Sequence, residues 1–418
     1  MLASSLVGPN SPLRALRGQR RLLNDKLVVL VPVNGYYAQK ECCSALRRLG
    51  HHVVEVVLGE QGKSGPTPQN LHKIMAAVVQ HRPDMMLSIN YSGFDRANYL
   101  GQVVEAMGLP TAVWFVDHPI VLAQGWLPVS ADCMSLFMWD RSFVPAARAL
   151  GAQRVFHLPL GTDETLFVPG PVGRGGVQPV GFVGHSLVIL ENKWRRELTQ
   201  PEQRRAEQMA QALLQDRSCL HELVPDIGPP IDRTAMVLAF GCVLASKEYR
   251  QKLLRGLDQR TLHVTGDPHW AQLLPKAVHH PSTDYGAQSA QVYRDTTISV
   301  NATNLQMPST VNQRLFDVPA TGGFLITDHQ PEMAELFELG HGKEMMVYQS
   351  AEELRDAVRY YAAHPSERQQ MAARARARVL GAHTYTHRLQ TLLQVMRREH
   401  QSLPLGAVAP KGTASAPL

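Results

Sequence analysis

Residues 26–58 read KLVVLVPVNGYYAQKECCSALRRLGHHVVEVVL. A Val/Leu-rich run stops at Asn34-Gly35, a helical pattern closes on Gly50, and a second β-branched run follows. Short apolar runs bounded by turn residues read as strands buried on both faces of a parallel sheet. Gly50 takes the left-handed C-cap role after the helix. Strand, helix and strand in this order make one βαβ unit.

The same alternation continues in both directions along the chain. PQNLHKIMAAVVQHR is a helix stopped by Pro83, and DMMLSIN, PTAVWFVDHP, CMSLFMWD and RVFHLPLG are further strands. A first unit is therefore expected over 26–165. Residues 166–179 form a linker, within a Pro/Gly-rich stretch that begins at 162. A second αβ series, 180–384, starts with VGFVGHS and carries a helical insert over about 190–260. Its later strands are RTLHVTGDPHW, TTISVNAT, GGFLITD and EMMVYQ. Ser350-x-x-Glu353 and Ser366-x-x-Gln369 read as capping boxes of two helices broken at Pro365. Residues 385–401 form a C-terminal helix packing back on the first unit, residues 1–25 a basic flexible leader, and 402–418 a disordered tail. The fold class is thus α/β, with two Rossmann-like, doubly wound parallel-sheet domains facing a cleft.

The chain has 418 residues, beyond one comfortable core. Its net charge of +6, from 42 basic and 36 acidic residues, argues against binding nucleic acid by charge. Arg14 to Arg21 belong to the leader, and the arginines near 374–378 read as the wet face of a helix. Cys42, Cys43, Cys133, Cys219 and Cys242 show no zinc spacing and suit free thiols in a reducing compartment, so the cytoplasm is expected. No secretory signal or membrane span is expected.

In doubly wound sheets, ligands bind outside the carboxyl ends of strands. The residues there are Asn90, Tyr91, Ser92 and Gly93; Asp117 and His118; Gly184, His185 and Ser186; and Gly266 and Asp267. Each also suits a turn for its own sake. The stretch VNQRLFDVPATGGFLITD, 311–328, adds Asn312, Arg314 and Asp317 before the turn at Gly322-Gly323. A helix starting near Ser309 would offer amide groups to a phosphate. Arg314 can pair with a diphosphate, and Asp317 can accept two ribose hydroxyls. An Arg–Asp surface pair explains the same spacing.

Residues 297–395 resemble the C-terminal segment of CgeB-like glycosyltransferases, a branch of the GT-B superfamily. The resemblance rests on Asn312, Arg314, Phe316, Gly323, Asp328, Glu332 and the His364-Pro365-x-Glu367-Arg368 signature. LSIN and AVWFVDHP resemble the acceptor half of the same family. The resemblance implies a GT-B fold and a metal-independent hexosyl transfer from a nucleoside-diphosphate sugar to an acceptor such as a glycan, protein or small molecule, with no cofactor. Gly184, His185, Arg195, Gly266, Asp267, Asn312, Arg314, Asp317 and Gly323 would then serve the donor. Lys193 and Arg196 would add positive charge for the diphosphate. Asn90, Tyr91, Ser92 and Gly93 would face the acceptor, and Asp117 or His118 would act catalytically. Asp317 stands where the wider group has Glu, and Ser309 where retaining members often carry an acid. The stereochemistry stays open. A silent nucleotide-binding protein of the same fold and a nucleotide-sugar epimerase are the alternatives.

Overall fold

The computed structural model describes residues 22–59, 68–94, 98–119, 132–149, 151–223 and 231–400. The leader up to residue 21 and the tail from 401 lie outside them.

The first sheet holds β1 (Val28–Val33), β2 (His52–Val57), β3 (Met85–Ile89), β4 (Thr111–Phe115), β5 (Met134–Met138) and β6 (Val155–His157). Its order is β2-β1-β3-β4-β5-β6, and every pairing is parallel. β3 and β4 are buried at every position, as strands covered on both faces must be. β2, at the edge, alternates buried and exposed side chains instead. Helices α1 (Gln39–Arg48), α2 (Pro68–His81), α3 (Tyr99–Met107) and α4 (Phe143–Ala149) make the crossovers.

The second sheet holds β7 (Gln178–Val183), β8 (Leu262–Thr265), β9 (Val278–His280), β10 (Thr296–Asn301), β11 (Leu325–Asp328) and β12 (Met346–Tyr348). It too is wholly parallel, ordered β12-β11-β10-β7-β8-β9. Counted from β7, that is the 3-2-1-4-5-6 order of dinucleotide-binding sheets, with its switch point between β7 and β10. Between β7 and β8 run α5 (Val188–Glu197), α6 (Gln200–Gln215), α7 (Leu220–Leu223) and α8 (Ile231–Arg255). α9 (Trp270–Leu273), α10 (Ala287–Asp295), α11 (Arg314–Ala320), α12 (Met333–Leu336), α13 (Ala351–Ala363), α14 (Pro365–Ala382) and α15 (Tyr385–His400) complete the chain.

α15 packs on α1 of the first unit, burying Leu389, Leu392 and Met396. Its end is tied down where His400 Nε2 meets Ser135 Oγ at 2.9 Å. Arg397 binds the Asn24 and Asp25 carbonyls, and Leu22 is buried, so residues 22–25 pack on the fold rather than belonging to a flexible leader. The two crossings between units run side by side: Thr162 N–H donates to the His383 carbonyl at 3.1 Å, and Tyr385 N–H to Thr162 at 2.8 Å. Gly161 must be glycine there, since a Cβ would come within 2.9 Å of the His383 oxygen.

Two local expectations change. α11 starts at Arg314, not near Ser309, because residues 309–312 are drawn out as a loop by contacts described below. Ser350 caps α13 by accepting from Glu353 N–H, whereas α14 starts at Pro365, so Ser366 sits inside it and caps nothing. Among the described residues, no helix is long and apolar enough to cross a membrane.

Candidate functional site

Beside the second sheet's switch point, the carboxyl ends of β7 and β8 meet in one close backbone approach. Gly184, just past β7, accepts a 2.8 Å hydrogen bond on its carbonyl from Trp270 Nε1. A Cβ on Gly266 would lie 2.3 Å from that same oxygen, so the loop after β8 passes only as glycine. Asp267 then holds the neighbouring turn, accepting from Ser186 N–H at 2.6 Å and Ser186 Oγ at 2.7 Å. Burial works to raise its carboxyl, but these bonds, with the His269 amide, hold it below the usual range. Asp267 is therefore a brace for the 184–186 turn, not a contact for a nucleotide base. Leu187 follows with φ 70°, a strained conformation for a β-carbon residue.

This turn roofs a cavity of about 150 Å³ lined by Gly184, His185, Gly266, Tyr285, Tyr293 and Arg314, among others. Arg314 Nε is buried without a hydrogen-bond partner, while the Tyr285 hydroxyl faces the Asp317 carboxyl. Unpartnered polar atoms at a cavity wall are rare enough to need a reason, and a polar ligand supplies one. Arg250, absent from the sequence reading, donates to the His185 carbonyl at 2.9 Å. Burial, then the nearby positive charge of Arg314, lowers its guanidinium to about 10. Two cations converging on one turn suit an anion.

Several expected donor residues lie elsewhere. Asp317 is fully buried and accepts from Thr162 Oγ1 at 2.7 Å, in the crossing between units. Burial raises its carboxyl well above the usual range, and Asp317 does not line the cavity. It holds no ribose in this arrangement. Gly323 lines a different groove, beneath the start of β11. Arg195 is bound to Glu191 at 3.1 Å and Glu207 at 3.0 Å, on the surface of α5, so its charge is matched there. Lys193 lies over the Trp194 ring. Asn312 accepts from the Arg314 amide at 3.1 Å and donates to Asn301 at 3.0 Å. It orients the start of α11, whose first amides are taken up by Asn312 and Gln313.

On the first sheet the switch point lies between β1 and β3. Asn90, with φ 51°, accepts from Val116 N–H at 2.8 Å and donates to Asp117 at 3.3 Å. From the second unit, Gln306 Nε2 donates to the other Asp117 oxygen at 3.2 Å. Burial pushes the Asp117 carboxyl up to about 7, with the Gln306 bond pulling the other way. His118 faces inward. It is 1% exposed, packs edge-on against Phe143 at 4.6 Å, and neither ring nitrogen has a partner. Burial and the neighbouring His221 lower it to about 3, so it stays neutral and cannot meet an acceptor from this position. Tyr91 packs edge-on against Phe94 and Phe115, Ser92 Oγ accepts from Gln39 at 2.7 Å, and a Cβ on Gly93 would strike Ile74 at 2.9 Å. These three shape the turn under Asn90 and do not present an acceptor surface.

The units are joined beside this cleft by carboxylates. Asp140, buried after β5, accepts from the amides of Ser309 and Thr310, both at 3.1 Å, and from Ser309 Oγ. That grip draws residues 309–312 out of helix. Glu332 accepts from Ser309 Oγ at 2.7 Å, from Arg141 N–H at 2.8 Å, and faces His157 Nε2 at 2.9 Å.

Residues 247–394 match the family model for glycosyl transferase-like proteins. A search of curated protein sequences finds no match. Among solved structures, the chain is similar to a sucrose-phosphate synthase from Thermosynechococcus elongatus, with 11% identity, TM-score 0.54, and 89% of this chain covering 98% of that one. It is also similar to a glycosyltransferase from Rickettsia africae, with 10% identity, TM-score 0.55, and 91% of this chain covering 100% of that one. At such identity the likeness speaks for the fold. The two parallel six-stranded sheets match the fold of GT-B glycosyltransferase structures.

Proposed function

We propose that the chain transfers a sugar, of hexose type, from a nucleoside-diphosphate sugar to an acceptor hydroxyl, in the manner of the CgeB-like branch of GT-B enzymes. The observation that carries this reading is the cavity under Gly184, where Arg314 presents an unpartnered buried nitrogen beside a second cation, Arg250. A diphosphate would meet Arg314 there, and fixed guanidinium charge would stabilise the leaving group without a metal ion. Arg250 holds the His185 carbonyl and so fixes the turn. Asp117, raised to about 7 and shared between the units through Gln306, is the general base of an inverting transfer. Cytoplasmic residence belongs to the same proposal, resting on five free cysteines.

A silent nucleotide binder is the second reading. Ser309 favours it, since its hydroxyl is taken up by Asp140 and Glu332 rather than offered to a sugar. Thermal unfolding against nucleoside diphosphates and their sugars, with and without magnesium, separates the possibilities. One nucleotide is expected to raise the midpoint without metal, and Arg314→Ala to abolish the shift. Release or transfer of sugar from that donor then marks an enzyme; a shift without turnover marks the silent binder. No shift from any member, in folded protein, overturns both readings.

A further inference from the structure

The second sheet carries another concavity, at the opposite end of its strands. Val177 directly precedes β7, Thr296 opens β10 and Phe324 directly precedes β11, and all three line a groove of about 580 Å³. The cavity under Gly184 lies at the carboxyl ends of β7 and β8. The two are separate, with Tyr293 forming part of the wall of each. α11 also spans them: its first residue, Arg314, lines the cavity and its cap, Thr321, lines the groove.

The groove is positively charged and partly apolar. Arg294, Arg368 and Arg376 line it, against one carboxylate, Asp295. Asp295 is already engaged, accepting from Gly173 N–H at 2.6 Å and Gln291 Nε2 at 2.8 Å. The guanidiniums keep donors in reserve. Arg376 binds the Ala320 carbonyl through Nε alone, Arg368 the Tyr361 carbonyl through one Nη, and Arg294 Nε is buried without a partner. Among the described residues, the other nitrogens of Arg368 and Arg376 have no hydrogen bond. Val172 and Val177 stand 48% and 62% exposed on the same walls, with Phe324 beneath. Apolar walls with a few convergent donors, at this volume, are the ordinary makeup of a small-molecule site.

We propose that this groove binds a small organic anion, a carboxylate, sulfonate or phosphate carried on an apolar body, with Arg368 and Arg376 on the charge and Val177 and Phe324 on the body. The site is independent of the donor reading and of its outcome.

The test is a fluorescence titration of the full chain with 1-anilinonaphthalene-8-sulfonate, an anion on aromatic rings. Saturable binding at one site is expected. Arg368→Gln combined with Arg376→Gln should weaken it about ten-fold or more, the size of a lost charge-assisted hydrogen bond. Those arginines also hold backbone carbonyls, so Val177→Asp is the second variant; it changes an exposed side chain and should weaken binding similarly. Arg314→Ala should leave the titration unchanged. Binding insensitive to the groove variants, lost on Arg314→Ala, or rising without saturation overturns the proposal. So does sedimentation showing a dimer whose formation is abolished by Val177→Asp and which excludes the probe, since the groove would then be filled by a second copy.

Discussion

Gln306 Nε2 and Asp117 Oδ1 lie 3.2 Å apart, joining the loop after β10 of the second sheet to the loop after β4 of the first. The contact places a carboxyl poised near 7 at the seam where two substrates would meet. Asp117→Asn is expected to keep nucleotide binding and to lower transfer by about 10²–10⁴-fold, the usual worth of a general base. The base must be ionised, so wild-type kcat/KM should rise with pH through about 7 and level above it. A pH–rate profile flat through that range excludes the role. The stability consequence has the opposite sense. A raised carboxyl adds stability that is complete below its ordinary 3.8 and is lost as pH rises through about 7. Asp117→Asn should therefore gain stability over wild type between those values.

Asp317 tests the corrected geometry. It is buried against Thr162, and burial raises its carboxyl well above the ordinary range. Asparagine has nearly the shape of a protonated aspartate. Asp317→Asn should leave both the nucleotide-induced shift in unfolding midpoint and the neutral-pH stability of the chain essentially unchanged. A loss of nucleotide binding in stable protein would restore the ribose role.

The alternation of strand and helix in 26–58 was readable because burial on both faces forces continuous apolar runs, and β1, β3 and β4 show that burial. That Gly184 and Arg314 line one cavity follows from their places beside strand ends, which face the ligand side of such sheets. Asp317 was misplaced for a local reason. Its spacing of three from Arg314 suggests a shared face, but α11 starts at Arg314, and the carboxyl turns to a threonine 155 positions away. His118 was misplaced because nothing adjacent in sequence announces that Phe143 and His221 cover it. Arg250 and Gln306 went unread since each acts on a residue far along the chain, His185 and Asp117. For Arg250 the signal was an arginine on a helix already busy with charge.

Gly266→Ala probes the turn that shapes the cavity. The added methyl would sit 2.3 Å from the Gly184 carbonyl and 2.9 Å from the Trp270 ring. Backbone cannot yield as a side-chain tip can, so the 184–186 turn must move. The expected cost is about 1–3 kcal/mol in denaturant unfolding, with loss of the nucleotide-induced shift. An unchanged shift would place the nucleotide elsewhere.

Glu332 decides how firmly the units hold each other. It is 5% exposed and serves Ser309, the Arg141 amide and His157 together. Burial alone would raise its carboxyl, yet His157, Ser309 and the amide hold it below the ordinary 4.5. A depressed carboxyl adds stability that is complete above that ordinary value and is lost as pH falls through the lower, folded one. Glu332→Gln keeps the shape but leaves the Arg141 amide with a weaker acceptor and removes the charge facing His157. It should destabilise the chain at pH 7 by about 1–3 kcal/mol. The difference from wild type should shrink as the medium is taken below pH 4.5. Paired unfolding curves at neutral and acid pH check this. A deficit that stays constant across the range would mean that the carboxylate's charge contributes nothing to the seam, and that Glu332 acts there through packing alone.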